Sequence, residues 1–186
     1  MRMTAFLKVA EGVAMLNRTL ARWELFLCQF LIIGFSGLLL TNVVLRYGFS
    51  APLYYAQETA IYILIWMSFL AIAATIARKE MISLTFAVDL LPTRLRLVVD
   101  IVVQLAIIAI MLILLRVSWV WLNSPAVQFE RALTLGQPKR YFYAVVPIFC
   151  ALASFHSFAN LLELSARLVR GAGPPTPGTT VEKVPR

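Results

Sequence analysis

Hydrogen-bonding and ionisable side chains are scarce in this chain, and those inside or beside its long apolar runs are the candidates for chemistry. Asn42 and Arg46 stand four residues apart at the end of the first run, and Glu58 opens the second. Asp100 and Arg116 lie near the two ends of the third, while His156 and Asn160 share one helical face of the fourth. No catalytic constellation emerges from them. There is no phosphate-binding glycine loop and no nucleophile with a paired base, and the single histidine has no second His or Cys at ligand spacing. An autonomous enzyme is therefore not expected, nor is a cofactor or a metal. Ionisable groups within a membrane are functional candidates by default. Glu58, Asp100 and His156 thus support one reading, an intramembrane proton relay or a subunit of a redox complex. Against it, Glu58 and Asp100 fall near opposite membrane faces, and His156 suits a neutral group hydrogen-bonding between helices. The other reading is that these groups fasten helices to one another or to a partner subunit. Asp100 and Arg116 cannot pair with each other, because sixteen residues span about 24 Å of helix.

The elements that position these residues follow from composition. Hydrophobic residues make up 61% of the 186 and charged residues only 14%, with a mean hydropathy of +0.83. A soluble domain carries about 25% charged residues, so this is an all-α integral membrane protein. The net charge of +8 comes from Lys and Arg dispersed in short flanks between apolar runs, not from a continuous stripe, and nucleic acid is not an expected partner. Cys28 and Cys150 both sit in apolar segments, too few for a disulfide framework, and read as small core residues.

Four runs have the roughly 20 residues that cross the hydrocarbon core: about 26–45, 56–77, 97–122 and 141–162. Residues 1–22 are too charged to span. Lys8, Glu11, Arg18 and Arg22 gather opposite Phe6, Val9, Val13, Leu16 and Leu20, which predicts an amphipathic helix lying along the membrane surface. The membrane domain is expected over 23–164. Small residues in the first span (Gly34, Ser36, Gly37) and the second (Ala71, Ala73, Ala74) predict close helix neighbours. Met81–Leu91 alternates like a strand, but a lone strand at membrane depth leaves its backbone unpaired, so a short amphipathic helix is expected. Pro147 frees the carbonyl of Tyr143 and predicts a bend in the fourth span. Residues 165–186, basic and rich in Pro and Gly, read as a disordered tail.

The tightest hairpin joins the first two spans. Arg46 suits the carbonyl end of its helix and Glu58 the N–H end of the next, and the two emerge on the same side of the membrane. Each charge either serves its own helix end or reaches the other. The Asn42-x-x-x-Arg46-Tyr47-x-Phe49-x-x-Pro52 pattern ending in Glu58 resembles the signature of the small, DctQ-type membrane subunit of TRAP (tripartite ATP-independent periplasmic) transporters. Trp66 with Phe69, the Val88-Asp89-Leu90-Leu91-Pro92 segment, and the Gly136-x-Pro138 turn before an aromatic-rich fourth helix are similar to that family as well. Two departures stand out. The family often has Glu-His-Ile and then an Asp where this chain has Glu80-Met81-Ile82 and Thr85, and aromatic or apolar residues where it has Lys139 and Arg140.

The resemblance implies a large transporting membrane subunit and an extracytoplasmic solute-binding protein as partners, with the lipid bilayer around them. It further implies ion-gradient-driven uptake of an organic acid, usually with sodium, and a small subunit that braces the transporting one and helps dock the binding protein. Asn42, Arg46, Glu58, Trp66, Asp89 and Asp100 are then the candidate structural or subunit-interface residues. Lys and Arg count twelve on one side of the spans and four on the other, which predicts cytoplasmic termini, and the resemblance implies that the membrane is a bacterial inner membrane.

Overall fold

The computed structural model describes residues 2–78 and 93–169, with side chains over 6–78 and 98–166. The Met81–Leu91 segment with Asp89, and the tail beyond 169, lie outside the described residues. The elements are α1 (Arg2–Gly48), α2 (Ala56–Arg78), α3 (Thr93–Leu122), two short helices α4 (Pro125–Phe129) and α5 (Arg140–Tyr143), and α6 (Val145–Val169). Among the described residues there is no strand, only one isolated bridge between Arg131 and Pro138. Among the described residues, four helical stretches are long and apolar enough to cross a membrane: those within Phe6–Gly48, Ala56–Arg78, Val98–Leu122 and Arg140–Ala166.

The sequence reading divides the chain near residue 22, but α1 has no break there. It runs for 47 residues, about 70 Å, more than twice the hydrocarbon thickness of about 30 Å. Nothing between Thr19 and Gln29 interrupts it, since that stretch contains neither Pro nor Gly. The N-terminal half of α1, here called the arm, keeps Lys8, Glu11, Arg18 and Arg22 exposed as its polar face predicts. Its packed face is different from the predicted one. Val9 is 60% exposed, whereas Ala10 is 4% exposed, and the buried stripe reads Ala10, Asn17, Ala21, Glu24. Small residues allow the close backbone approach that large apolar ones prevent.

Helix α6 packs against α1, α2 and α3 and is the central element. α2 runs parallel to α5 and α6: Tyr62 stacks on Phe142 of α5 at 3.9 Å, Phe69 meets Phe149 of α6 at 5.1 Å, and Asn160 Nδ2 of α6 donates to the Ile76 carbonyl at 2.9 Å. The core between α2 and α6 is Ala73, Ile76, Phe149, Cys150 and Ala153, flanked by Met111 and Leu115 of α3. Lipid tails are as apolar as these side chains, so the association rests on van der Waals fit and on the few interhelical hydrogen bonds. Those hydrogen bonds therefore define the site.

Candidate functional site

The polar groups fall into two clusters, one at the hairpin end, where the α1–α2 turn and the 123–144 loop gather, and one toward the opposite end. Helix α1 ends at Gly48, but the left-handed residue is Ser50, at φ 54°, a conformation more costly for serine than for glycine. That turn brings the Ala51 N–H to the Leu45 carbonyl at 3.0 Å and the Leu53 N–H to Asn42 Oδ1 at 2.9 Å. Asn42 thus closes the hairpin from within.

Glu58, in the first turn of α2, reaches a part of the chain 75 residues away. Its carboxylate accepts from the backbone N–H groups of Leu133 at 3.0 Å, Thr134 at 2.7 Å and Leu135 at 3.3 Å, and from the Thr134 hydroxyl. The Tyr62 hydroxyl donates at 3.3 Å to Oε1, the same oxygen that accepts from Leu133. Three consecutive N–H groups converging on one anion form a nest, which needs a tight turn. Gly136 at φ 67° supplies that turn, closed by its N–H on the Ala132 carbonyl and by the Arg131–Pro138 bridge. Lys139 donates to Glu130 at 2.6 Å across the same loop, and this bond pushes the ammonium above its usual range. The structure therefore does not bring Arg46 and Glu58 together. The Arg46 guanidinium is exposed, 5.8 Å from the centre of the Tyr47 ring, and every acceptor position used on Glu58 is taken by the loop or Tyr62.

Trp66 makes the third tie, its Nε1 donating to the Phe142 carbonyl at 3.1 Å. The fourth membrane-crossing segment is interrupted at Ala144, between α5 and α6, three residues before Pro147. Asp100 lies near the start of α3, half-buried, and neither Glu58 nor His156 hydrogen-bonds to it.

The second cluster was only half legible from sequence. His156 and Asn160 share a face as expected and both are buried, but their bonds go to different helices: Asn160 to α2, and His156 to Asn17 and Glu24 of α1. Asn17 and Glu24 were missed. The available signal was their seven-residue spacing on one stripe with Ala10 and Ala21, which places a polar pair on a face otherwise made of alanine. From Glu58 to the level of Ile76 is 18 residues of α2, about 27 Å of rise, so Glu58 and His156 occupy separate depths. Among the described residues no group of His, Cys, Asp and Glu is arranged to hold a metal ion.

Helices long and apolar enough to cross a membrane, three of them tied to their neighbours by hydrogen bonds from buried or half-buried side chains, define a helical membrane protein. The family model "Tripartite ATP-independent periplasmic transporters, DctQ component" matches residues 35–167, and the chain belongs to that family. A curated relative from Haemophilus influenzae, named "Putative TRAP transporter small permease protein", is 26% identical over 120 residues, covering 64% of this chain and 74% of that protein. The chain is thus a TRAP transporter small subunit, a multi-pass membrane protein.

Proposed function

We propose that this small permease subunit braces a larger transporting membrane subunit that imports an organic acid on a sodium gradient, and that its hairpin end helps dock the solute-binding protein. The observation carrying this reading is where the polar side chains go. Asn42, Glu58, Trp66, His156 and Asn160 are all engaged within the chain, joining one element to another. A scaffold needs such ties, whereas a carrier places polar groups at broken helices to meet solute and ions at the midplane.

Two surfaces suit the partners. Along the membrane, α1 exposes Phe30, Ile33 and Leu40, and α3 exposes Val102, Ile113 and Val117, apolar faces fit for lipid and for the large subunit. At the hairpin end, Phe49, Tyr54, Phe129 and Leu133 are exposed on a turn and a loop that the Asn42 and Glu58 bonds hold in shape. Preorganised loops of this kind lower the ordering cost of docking. The twelve-to-four count of cations supports cytoplasmic termini in a bacterial inner membrane, which turns the hairpin end toward the binding protein.

Reconstitution tests the proposal. Liposomes holding this polypeptide alone should show no solute uptake, and uptake should require the large subunit and the binding protein together. Robust uptake by the isolated small subunit contradicts the scaffold role.

A further inference from the structure

The most deeply buried polar side chains lie away from the hairpin end. His156 of α6 is 0% exposed, Glu24 of α1 2% and Asn17 5%. Nδ1 of His156 is 2.5 Å from Oδ1 of Asn17, and Nε2 is 2.9 Å from Oε1 of Glu24. The other carboxylate oxygen of Glu24, Oε2, is buried without a hydrogen-bond partner.

Counting donors fixes what this arrangement requires. A neutral imidazole carries a hydrogen on only one ring nitrogen, and both an amide carbonyl oxygen and a carboxylate oxygen are acceptors. Two short contacts to two acceptors would leave a neutral ring with a lone pair facing a lone pair. Rotating the Asn17 amide turns a donor toward Nδ1, but the buried carboxylate then faces only a neutral ring. That alternative is disfavoured, because a buried charge needs a compensating one. Arg18 and Arg22 of the same helix are exposed, and among the described residues Glu24 pairs with His156. Of the neighbouring polar groups, Asn160 donates through Nδ2 to the Ile76 carbonyl of α2, and Ser157, beside His156, is a neutral hydroxyl that carries no compensating charge. Cys28, one turn along α1, donates to the Met67 carbonyl.

We propose that Glu24 and His156 form a proton-binding site. They hold one proton in common along Nε2···Oε1 while Nδ1–H donates to Asn17, so the dyad is neutral overall. This proton-held dyad clips the arm of α1 to α6. The proton comes from water and returns to it, and no other bond is made or broken. The clip has a register. α1 is antiparallel to α6, and His156 sits between Asn17 and Glu24, near the level of residue 20. Ten residues further along α6, Ala166 lies level with Ala10, and both are buried alanines on which the arm can rest.

His156 is the chain's single histidine, so one labelled imidazole reports the site. The full-length chain in lipid nanodiscs, grown on nitrogen-15 histidine, should show Nδ1 carrying a hydrogen. The second hydrogen should be found on Nε2 or, by infrared spectroscopy, as a protonated carboxyl stretch that disappears in Glu24→Gln. A ring protonated on Nε2 alone beside an ionised Glu24 overturns the shared proton. For the clip, hydrogen–deuterium exchange across residues 8–24 should rise several-fold in Glu24→Leu and His156→Leu. It should stay near the native rate in Glu24→Gln, whose amide can still donate to Nε2. Unchanged exchange in both leucine variants overturns the clip, and the nitrogen-15 measurement on the native chain stands whether or not those variants fold.

Discussion

The Glu58 carboxylate, in the first turn of α2, accepts the backbone N–H of Thr134 at 2.7 Å across 76 residues of chain. With the adjoining amides of Leu133 and Leu135, it makes one side chain the anchor of the loop that precedes the fourth membrane-crossing segment. The loop's own fastenings, Lys139–Glu130 and the Arg131–Pro138 bridge, shape it but do not attach it to α2. Glu58 does that.

Replacing Glu58 with Gln should loosen the loop even though the side chain keeps its length. A neutral amide has one acceptor oxygen and turns N–H groups toward a nest made of N–H groups. Hydrogen–deuterium exchange should accelerate at residues 133–135 and spread toward Gly136, while the register of Phe69 on Phe149, deeper between α2 and α6, should be retained. Thr134→Val, which removes only the hydroxyl donor, should have the smaller effect.

Arg46 and Glu58 should behave independently. The charge swap Arg46→Glu with Glu58→Arg should lose thermal stability by the sum of the single losses and recover nothing, because distant groups without shared partners add. Recovery in the double variant would mean that the two side chains meet in the assembled protein.

Asn42→Leu and Trp66→Phe each delete one donor or acceptor of a tie between elements. Interhelical hydrogen bonds in membranes contribute about 0.6 to 2 kcal/mol, so each variant should lower stability by that amount in a reversible unfolding assay. The two sites lie on different elements and share no partner, so the double variant should be additive.

The four spans and the hairpin were readable because each depends on local pattern: apolar length and helix-breaking residues. Asn42 stands out in the sequence, but its partner, the Leu53 amide, is a backbone group that no side-chain pattern reveals. Glu58 illustrates the main obstacle. Its nearest cation in the hairpin, Arg46, looked like a partner, while its actual partners are backbone amides in a loop 75 to 77 residues on, with nothing in their side chains to advertise an anion site. Glu24 was hidden for another reason. Beside Trp23 at the start of an apolar run, it reads as a boundary charge, and only the continuation of α1 as one helix along α6 turns it inward. The arm's large apolar residues misled in the same way, since packing there selects alanine over valine and leucine.

Topology can be checked independently in a chain lacking Cys28 and Cys150. A cysteine at Ser50, exposed on the hairpin turn, should react with an impermeant reagent from outside the cell, and one at Thr179 should react only after the membrane is opened. The reverse pattern would invert the proposed orientation.

The central claim is that this chain holds the transporter together and does not carry solute or ions, and uptake per assembled complex tests it most directly. Glu58→Gln, Asn42→Leu and Trp66→Phe are each purified with the large subunit, the intact pair is quantified, and uptake is measured in liposomes with saturating binding protein. The scaffold account predicts that assembly yield and total uptake fall together, so uptake per intact complex stays at the native value. A Glu58→Gln complex that assembles fully and is equally stable, yet transports nothing, would contradict it and place Glu58 in the transport step itself.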